Sequence, residues 1–329
     1  MMQVISPDTQ KILALSALQG VGAKTLNSLV KLKDFKDMPL LDIAKLLNVT
    51  DITISMIDNC VNFAQKNIDL ANKYDHKIIS FFDVNYPLLL KKTDDAPAIL
   101  YCAGDVEQLN KKCLAVIGTR EPTEHGVVIA RNITKWFASS GWNIVSGLAK
   151  GVDTIAHKTT LRSPSKTIAV MAQGLEKVYP AENKHLATEI VTNGGLLISE
   201  YPYNASTYRN NFVQRDRIQA GLSSGVIMVQ SDINGGSLHA SRAILKYGRY
   251  LIVPNQSDRD INNSEPKIQA NMLFSRMNKS ELLNILKTNK FDISKIIIMK
   301  NKSEYTFVDD ILKNIDSNEG SSPNMGFGF

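Results

Sequence analysis

At 329 residues, 43% hydrophobic and 21% charged, the chain has the make-up of an ordinary globular protein, long enough for two or three domains. No apolar run approaches the ~20 residues of a membrane helix, and the opening MMQVISPDTQK lacks the basic-then-apolar order of a secretory signal, so a cytoplasmic protein with no membrane partner is expected. The net charge of +6 is unevenly spread. Residues 1–110 hold 11 Lys+Arg and 13 Asp+Glu (net −2), residues 111–253 hold 17 and 9 (net +8), and residues 254–329 hold 10 and 10. Such a bias points to an anionic partner for the middle segment, or to solubility alone. Cys60, Cys102 and Cys113 are odd in number and widely spaced. They fit reduced thiols and no metal-ligand spacing.

In chain order, residues 8–70 read as helical. Ile12, Leu13, Leu15 and Leu18, then Leu26, Leu29 and Val30, recur at three- and four-residue spacing, and Leu40 to Leu47 and Ile54 to Ala64 continue the pattern. Within it, Leu18 to Leu26 carries Gly20 and Gly22 between two helical runs, the pattern of a helix-hairpin-helix. Such a turn either presents backbone amides to a DNA phosphate or is a purely structural hairpin; the acidic balance of residues 1–110 leans to the second. Short strand signals follow at 77–82 and 98–102, placed to add edge strands to a main sheet. From 113 a regular series begins. Strands are predicted at 113–118, 142–146, 167–172, 196–199, 226–230 and 249–253. Helices are predicted between them at about 123–139, 152–161, 182–193, 211–222 and 237–247. Six strands separated by single helices imply an α/β fold with a doubly wound parallel sheet. The expected division is a helical domain over 1–70, of SAM or helix-hairpin-helix type, an α/β domain over 71–255, and a short C-terminal region over 256–329. Residues 280–315 contain runs that do not assemble into a recognisable unit, and a disordered tail is expected from about 318.

Parallel sheets bind ligands at the carboxyl ends of their strands, and here those ends carry Gly, Arg, Lys and Ser. Gly118-Thr119-Arg120 closes the first strand of the series: a glycine that admits a ligand to the backbone, a hydroxyl, and a guanidinium suited to phosphate. Its plain alternative is a tight turn with a solvated arginine. Ser146 to Asp153 brackets Lys150 with Gly147 and Gly151 just before a helix N-terminus, which favours an anion. Asp153 reads as a cap or loop acceptor and His157 as a packing or polar contact rather than as catalytic groups. Gly235-Gly236-Ser237 turns into a helix without the Gly-Lys-Ser/Thr ending of a P-loop, and His239 and Ser241 have no acidic partner in sequence reach. The stretch from Tyr201 to Arg217 interleaves Arg209, Arg215 and Arg217 with Tyr201, Tyr203, Tyr208 and Phe212. Cations beside aromatic faces suit unpaired nucleic acid; the plain alternative buries Phe212 and lets Asp216 neutralise its neighbours.

Taken in order, several blocks resemble the DNA-processing protein A (DprA/Smf) family. They are Asp83-Val-Asn-Tyr-Pro87, Val116 to Arg120, Ser146 to Asp153, Gly174 to Pro180 with Glu182-Asn183, Ser199 to Pro202, Asn211 to Ile218 with Ala220 to Ser223, and Gly236-Ser-Leu238. The resemblance covers about Lys77 to Pro254. It implies an extended Rossmann-like domain that binds single-stranded DNA without sequence preference, dimerises through that domain, protects incoming strands in natural transformation and helps to load the recombinase RecA. No catalysis and no cofactor are implied. By motif position Arg120 and Arg209 would grip phosphate and Phe212 would stack a base. Gly118, Thr119, Lys150, Gly236 and Ser237 would line the same strand-end pocket. Arg215 and Arg217 would line it too, or brace it from within.

Three departures stand out. Gln214-Arg-Asp-Arg217 replaces a Pro-Arg-Arg-Asn-type run. The expected Gly-rich segment with an Asn and a Gly-Ala is not recognisable in 255–275, and no complete winged helix is evident in 278–329. These bear on RecA loading more than on DNA binding. The competing readings are a sensor of a small nucleotide and a phosphoribohydrolase-like enzyme. Against the enzyme, Asn234 to Arg242 lacks the Gly-Thr-x-x-Glu that would follow a Pro-Gly-Gly segment there.

Overall fold

The structure, a computed structural model, describes residues 5–47, 49 and 51–320, the last five by backbone alone. Helices α1 (Pro7–Leu15), α2 (Ala23–Ser28), α3 (Leu40–Leu46) and α4 (Ile54–Lys73) come first. Strand β1 (Lys77–Ser80), the single turn α5 (Leu88–Lys91) and β2 (Ile99–Gly104) follow. The alternating series is β3 (Cys113–Ile117), α6 (Glu124–Ser139), β4 (Asn143–Ser146), α7 (Val152–Thr160), β5 (Thr167–Met171), α8 (Lys184–Thr192), β6 (Leu196–Ser199), α9 (Arg209–Leu222), β7 (Gly225–Met228), α10 (Ser237–Lys246) and β8 (Tyr250–Pro254). The C-terminal elements are α11 (Asp258–Asn262), α12 (Gln269–Ser275), α13 (Lys279–Ile285), β9 (Ile296–Met299) and α14 (Tyr305–Gly320). The fold is α/β, with strands that pair mostly in parallel. Every expected strand of the series is present, to within two residues at its ends.

The chain divides into two compact units. The first takes the residues up to Asn110 together with Ile168–Ile218. Its strands run in the order β1-β2-β6-β5, antiparallel at the first two pairings and parallel at the third. Tyr101 and Tyr86 are buried in it, and the Tyr86 hydroxyl donates to the Pro97 carbonyl at 2.6 Å. The Asp83 carboxylate accepts from the Ser80 amide at 2.6 Å and from the Ser6 hydroxyl at 2.8 Å, and also from the Thr9 hydroxyl. Ser6 is itself the N-cap of α1, with Pro7 at the first helical position, where its missing N–H costs nothing. The Asp-Val-Asn-Tyr-Pro block is therefore a brace between the first helix and the first strand. Between α1 and α2 the turn holds Gly20 at φ +83°, and Gly22 is the N-cap of α2.

The second unit takes Lys111–Thr167 and the chain from Gln219 onward. Its strands run β4-β3-β7-β8-β9, all parallel. Strands β3, β4 and β7 are buried at every residue, as strands covered on both faces must be, and this is why β3 and β7 read as apolar runs; in β4 the buried Asn143 accepts from the Lys166 amide at 3.0 Å and the buried Ser146 donates to the Val116 carbonyl at 2.7 Å. Alternate residues face opposite layers. Leu114, Val116 and Ile227 pack with Phe137, Ala156, Val308 and Leu312, so α6, α7 and α14 cover one face. Met228, next along from Ile227, meets the Ser241 hydroxyl of α10 at 3.4 Å on the other. That is double winding.

The C-terminal runs that resisted assembly in sequence complete this unit. β9 extends the parallel sheet beside β8. Met299, Tyr305, Val308 and Leu312 join the main hydrophobic cluster, and the buried Trp142 indole donates to the Asp309 carboxylate at 2.7 Å. Helix α14 continues through Gly320; the rest of the expected tail, 321–329, lies outside the described residues.

Candidate functional site

In the second unit, β4, β3 and β7 lie side by side and parallel, so the loops after them share one edge. The chain leaves β3 towards β4 on one side and is met by β7 on the other. That reversal of direction is where open α/β sheets bind ligands.

Gly118, Thr119, Arg120 and Lys150 come together there. The Val152 amide donates to the Thr119 carbonyl at 3.2 Å, clamping the start of α7 to the loop after β3. A side chain at Gly118 would meet Val152 Cγ2 at 2.7 Å, and one at Gly151 would meet the Arg120 and Thr119 backbone at 2.5 Å. Gly151 also sits at φ +72° and ψ −124°, a region open in practice only to glycine. Both glycines thus serve close packing of two loops. Arg120 is exposed on the clamped loop and makes no hydrogen bond or ion pair among the described residues. Lys150 is exposed on the facing loop.

The third loop joins through Gln230. Its carbonyl accepts from the Thr119 amide at 2.8 Å, and the next residue, Ser231, accepts from the Ser237 hydroxyl at 2.7 Å. Ser237 therefore lines the edge with its hydroxyl already engaged. Gly236 is exposed at the start of α10, which has no side-chain cap hydrogen bond, and a side chain there would meet nothing within 4 Å. Gly118, Gly151 and Gly235 are crowded, whereas Gly236 has open space before it.

Asp153 and His157 support these loops. Asp153 Oδ2 accepts from the Gly147 and Ala149 amides at 3.1 and 3.3 Å. His157 Nε2 accepts from the Leu148 amide at 3.3 Å, so Nδ1 carries the proton and donates to Thr167 Oγ1 at 2.6 Å, which passes its own to the Ile144 carbonyl at 2.8 Å. An imidazole committed at both nitrogens is a strut and no general base. The Ser241 hydroxyl donates to the Ser237 carbonyl at 3.0 Å. The His239 pKa is lowered by burial and by nearby Arg242 and Lys287, which favours its neutral form.

Sequence reasoning missed a network of buried amides beneath the edge. Gln230 Nε2 donates to Thr123 Oγ1 and to Gln256 Oε1, both at 3.0 Å. Gln256 Nε2 in turn donates to the Val229 carbonyl at 3.0 Å. Asn271, on α12, accepts from the Ser231 amide at 2.9 Å and donates to the Val229 carbonyl at 3.0 Å. Asn271, in the 255–275 segment, thereby fixes the β7 loop. Thr123 caps α6 through the Gly126 amide and donates to Asp260 at 2.8 Å.

Arg209, Phe212, Arg215 and Arg217 belong to the first unit. Arg209 is exposed at the start of α9. Phe212 is half-buried and meets the ring of Tyr179 edge-on, with centroids 5.5 Å apart. Tyr179 and Tyr208 are both exposed. Tyr203, by contrast, is buried against Tyr101 and hydrogen-bonded to His76 at 3.1 Å, so it belongs to the core. Arg215 is 5% exposed and bound to the Val170 carbonyl and to Asp216. Arg217 grips Glu200 with two bonds, of 2.8 and 2.6 Å. Both guanidiniums are occupied inside the unit. Tyr201, beside Glu200, has its pKa pushed up to about 12 by burial and then by that carboxylate.

Charge follows the division. Unit 2 carries 22 Lys+Arg and 14 Asp+Glu and unit 1 carries 16 and 18, which gives +8 and −2. Among the described residues no helix is long and apolar enough to cross a membrane.

A family model described as DNA recombination-mediator protein A matches residues 77–284. The DNA processing protein DprA of Bacillus subtilis is 39% identical over 165 residues, 50% of this chain and 55% of that protein. Protein Smf of Escherichia coli is 33% identical over 210 residues, 63% of this chain and 56% of that one. The chain thus spans about half the length of the curated relatives it matches. Among solved structures, DprA from Streptococcus pneumoniae superposes with a TM-score of 0.66 at 26% identity, over 81% of this chain and 95% of that one. DNA processing protein A from Helicobacter pylori, solved for its single-stranded DNA binding mode, superposes with a TM-score of 0.57 at 27% identity, over 73% and 96%.

Proposed function

The chain belongs to the DNA recombination-mediator protein A family, and on that premise we propose that it binds single-stranded DNA without sequence preference. It protects incoming strands during transformation and helps to load a RecA-type recombinase, acting as a cytoplasmic, non-catalytic homodimer formed through residues 71–255. The observation that carries the reading is the strand-end edge of the second unit. Arg120 stands exposed, with no partner among the described residues, on a loop clamped by the close packing of Gly118 and Gly151. Lys150 and the uncapped start of α10 share that edge. A guanidinium carried on a clamped loop beside amide groups suits a phosphodiester, and the buried struts around it leave no proton-transfer pair among the described residues.

In the first unit, Arg209 with Phe212, Tyr179 and Tyr208 supplies a charge and aromatic faces. Aromatic faces accept any base, because every base has a π-face, at about 1–3 kcal/mol each. Titration of a fluorescent oligonucleotide tests both parts. Arg120→Ala is expected to weaken binding about fourfold near 0.15 M salt and to make the salt dependence shallower by about 0.7 in log–log slope. Phe212→Ala is expected to weaken it by about 1–3 kcal/mol with the slope unchanged. Unchanged affinity in both variants would sink the proposal.

A further inference from the structure

The layer formed by α6 and α7 holds a groove of about 430 Å³ that the strand-end reading does not use. Arg131 and Lys135 line it from α6, and Lys158 and Arg162 line it from α7 and the turn beyond, with Ile155 and Thr159 between them. All four cations are exposed, none has an ion-pair partner among the described residues, and no acidic residue lines the groove. Residues 111–167 carry nine Lys+Arg against three Asp+Glu, and four of those nine stand here. In each pair the cations are four residues apart. Like charges at that spacing repel and weaken a helix, and a bound polyanion removes the repulsion.

The groove has no aromatic lining, so it offers charge to a backbone and no stacking face to a base. Its position is set by the helices that frame it. Both start at the strand-end edge, and Arg131 and Lys135 lie seven and eleven residues along α6 and Lys158 six residues along α7. At 1.5 Å per residue these offsets are roughly 9–17 Å from the edge.

We propose that the α6–α7 groove is a second phosphate track that takes the continuation of the single strand leaving the strand-end edge. The proposal rests on the single-stranded DNA reading above and extends the contacts beyond it. A strand long enough to reach the groove gains up to four further phosphate contacts, with no preference for base.

The test compares oligonucleotides of ~6 and ~30 nucleotides, within and beyond the span of a single small binding site, on the full chain and on a variant with Arg131, Lys135, Lys158 and Arg162 all changed to Gln. At about 0.7 per contact, the long-oligonucleotide salt slope is expected to become shallower by up to ~2.8, and affinity near 0.15 M salt to fall by about two orders of magnitude. The short oligonucleotide, which spans about 20 Å and reaches only the near end of the groove, should lose much less. Charge-preserving Lys135→Arg with Lys158→Arg should keep the parent slope. If the fourfold variant loses its far-UV circular dichroism, Lys158→Gln with Arg162→Gln replaces it, with half the expected change in slope.

An unchanged slope in a folded variant, while Arg120→Ala still weakens binding, would overturn the groove and leave the function standing. Failure of the unmodified protein to bind either oligonucleotide would overturn both. Poly-L-glutamate that binds more tightly than DNA of equal charge, and is lost in the fourfold variant, would assign the groove to an acidic protein surface and overturn the proposal.

Discussion

Two glycines at the strand-end edge look alike in sequence and are expected to behave oppositely. At Gly151, an alanine must adopt φ +72° and ψ −124°, which costs about 1–3 kcal/mol for a residue with a side chain. Its Cβ would also lie 2.5 Å from the backbone of Thr119 and Arg120, where ordinary contact begins near 3.4 Å. The clamped loops must part by about 1 Å, an overpacking cost of a further ~1–3 kcal/mol. Gly151→Ala is therefore expected to lose about 2–6 kcal/mol, or roughly 5–20 °C in the melting of the second unit. It should also weaken DNA binding, because the Arg120 backbone is what gives way.

At Gly236 the backbone is already right-handed helical, at φ −59° and ψ −30°, and an added Cβ meets nothing within 4 Å. Alanine there gains about 0.4–1 kcal/mol by restricting the unfolded chain and gives up a similar amount of N-cap preference. Gly236→Ala should melt within about 3 °C of the parent. If a phosphate seats against the start of α10, the same variant should bind oligonucleotide more weakly. Calorimetry on both variants, paired with oligonucleotide titration, reads all four outcomes. A Gly151→Ala protein that melts with the parent, or a Gly236→Ala protein that melts as low as Gly151→Ala, would refute the packing argument.

Other expectations follow from buried groups. Arg217→Ala leaves Glu200, only 16% exposed, without its two-bonded partner, and should cost about 3 kcal/mol in urea unfolding. A double-mutant cycle with Glu200→Gln should recover much of that cost; strict additivity would mean that the pair is not coupled. Burial pushes the Cys102 thiol up to about 12 from its ordinary 9.0. The unfolded chain then gives up its proton first as pH rises, so this stabilisation is complete below pH 9 and is lost between pH 9 and 12, by about 4 kcal/mol at most. Denaturation midpoints that hold constant across that window would contradict it. Phe substituted for Trp142 removes the indole donor from Asp309 and should destabilise the second unit by about 1–3 kcal/mol, exposing the α14 backbone to hydrogen exchange. Exchange in α14 unaltered by the change would show that the C-terminal helix does not depend on this bond.

The sequence was most legible where burial was most complete. The fully buried runs of β3 and β7 and the Ile144-Val145 centre of β4 are apolar, and a glycine follows β3 and β4 directly, so strand, turn and helix alternate visibly. β9 was harder to read. Its Ile296-Ile-Ile-Met299 run is short, is preceded by polar turns, and gains its place from pairing with β8 in three dimensions. Arg120 and Lys150 can be placed at strand ends from the sequence because strand-end position is a sequence property, and both are exposed there. Arg215 and Arg217 could not be separated from Arg209 by composition, since whether an arginine points inward depends on Val170 and Glu200, far away in the chain. For the same reason Tyr203 was grouped with the stacking aromatics, although it packs on Tyr101. Thr123, Gln230, Gln256 and Asn271 follow no period and match no motif, yet the hydrogen bonds of Gln230 to Thr123 and Gln256, and of Asn271 to the Ser231 amide, set the floor of the edge.

The most direct test of the central claim is titration of the unmodified protein with a fluorescent single-stranded oligonucleotide across a salt series, with duplex as competitor. Tight binding that prefers the single strand, and weakens with salt at about −0.7 in log–log slope per phosphate contact, is the predicted result. No binding at low salt would contradict it and turn attention to small nucleotides as ligands of the strand-end edge.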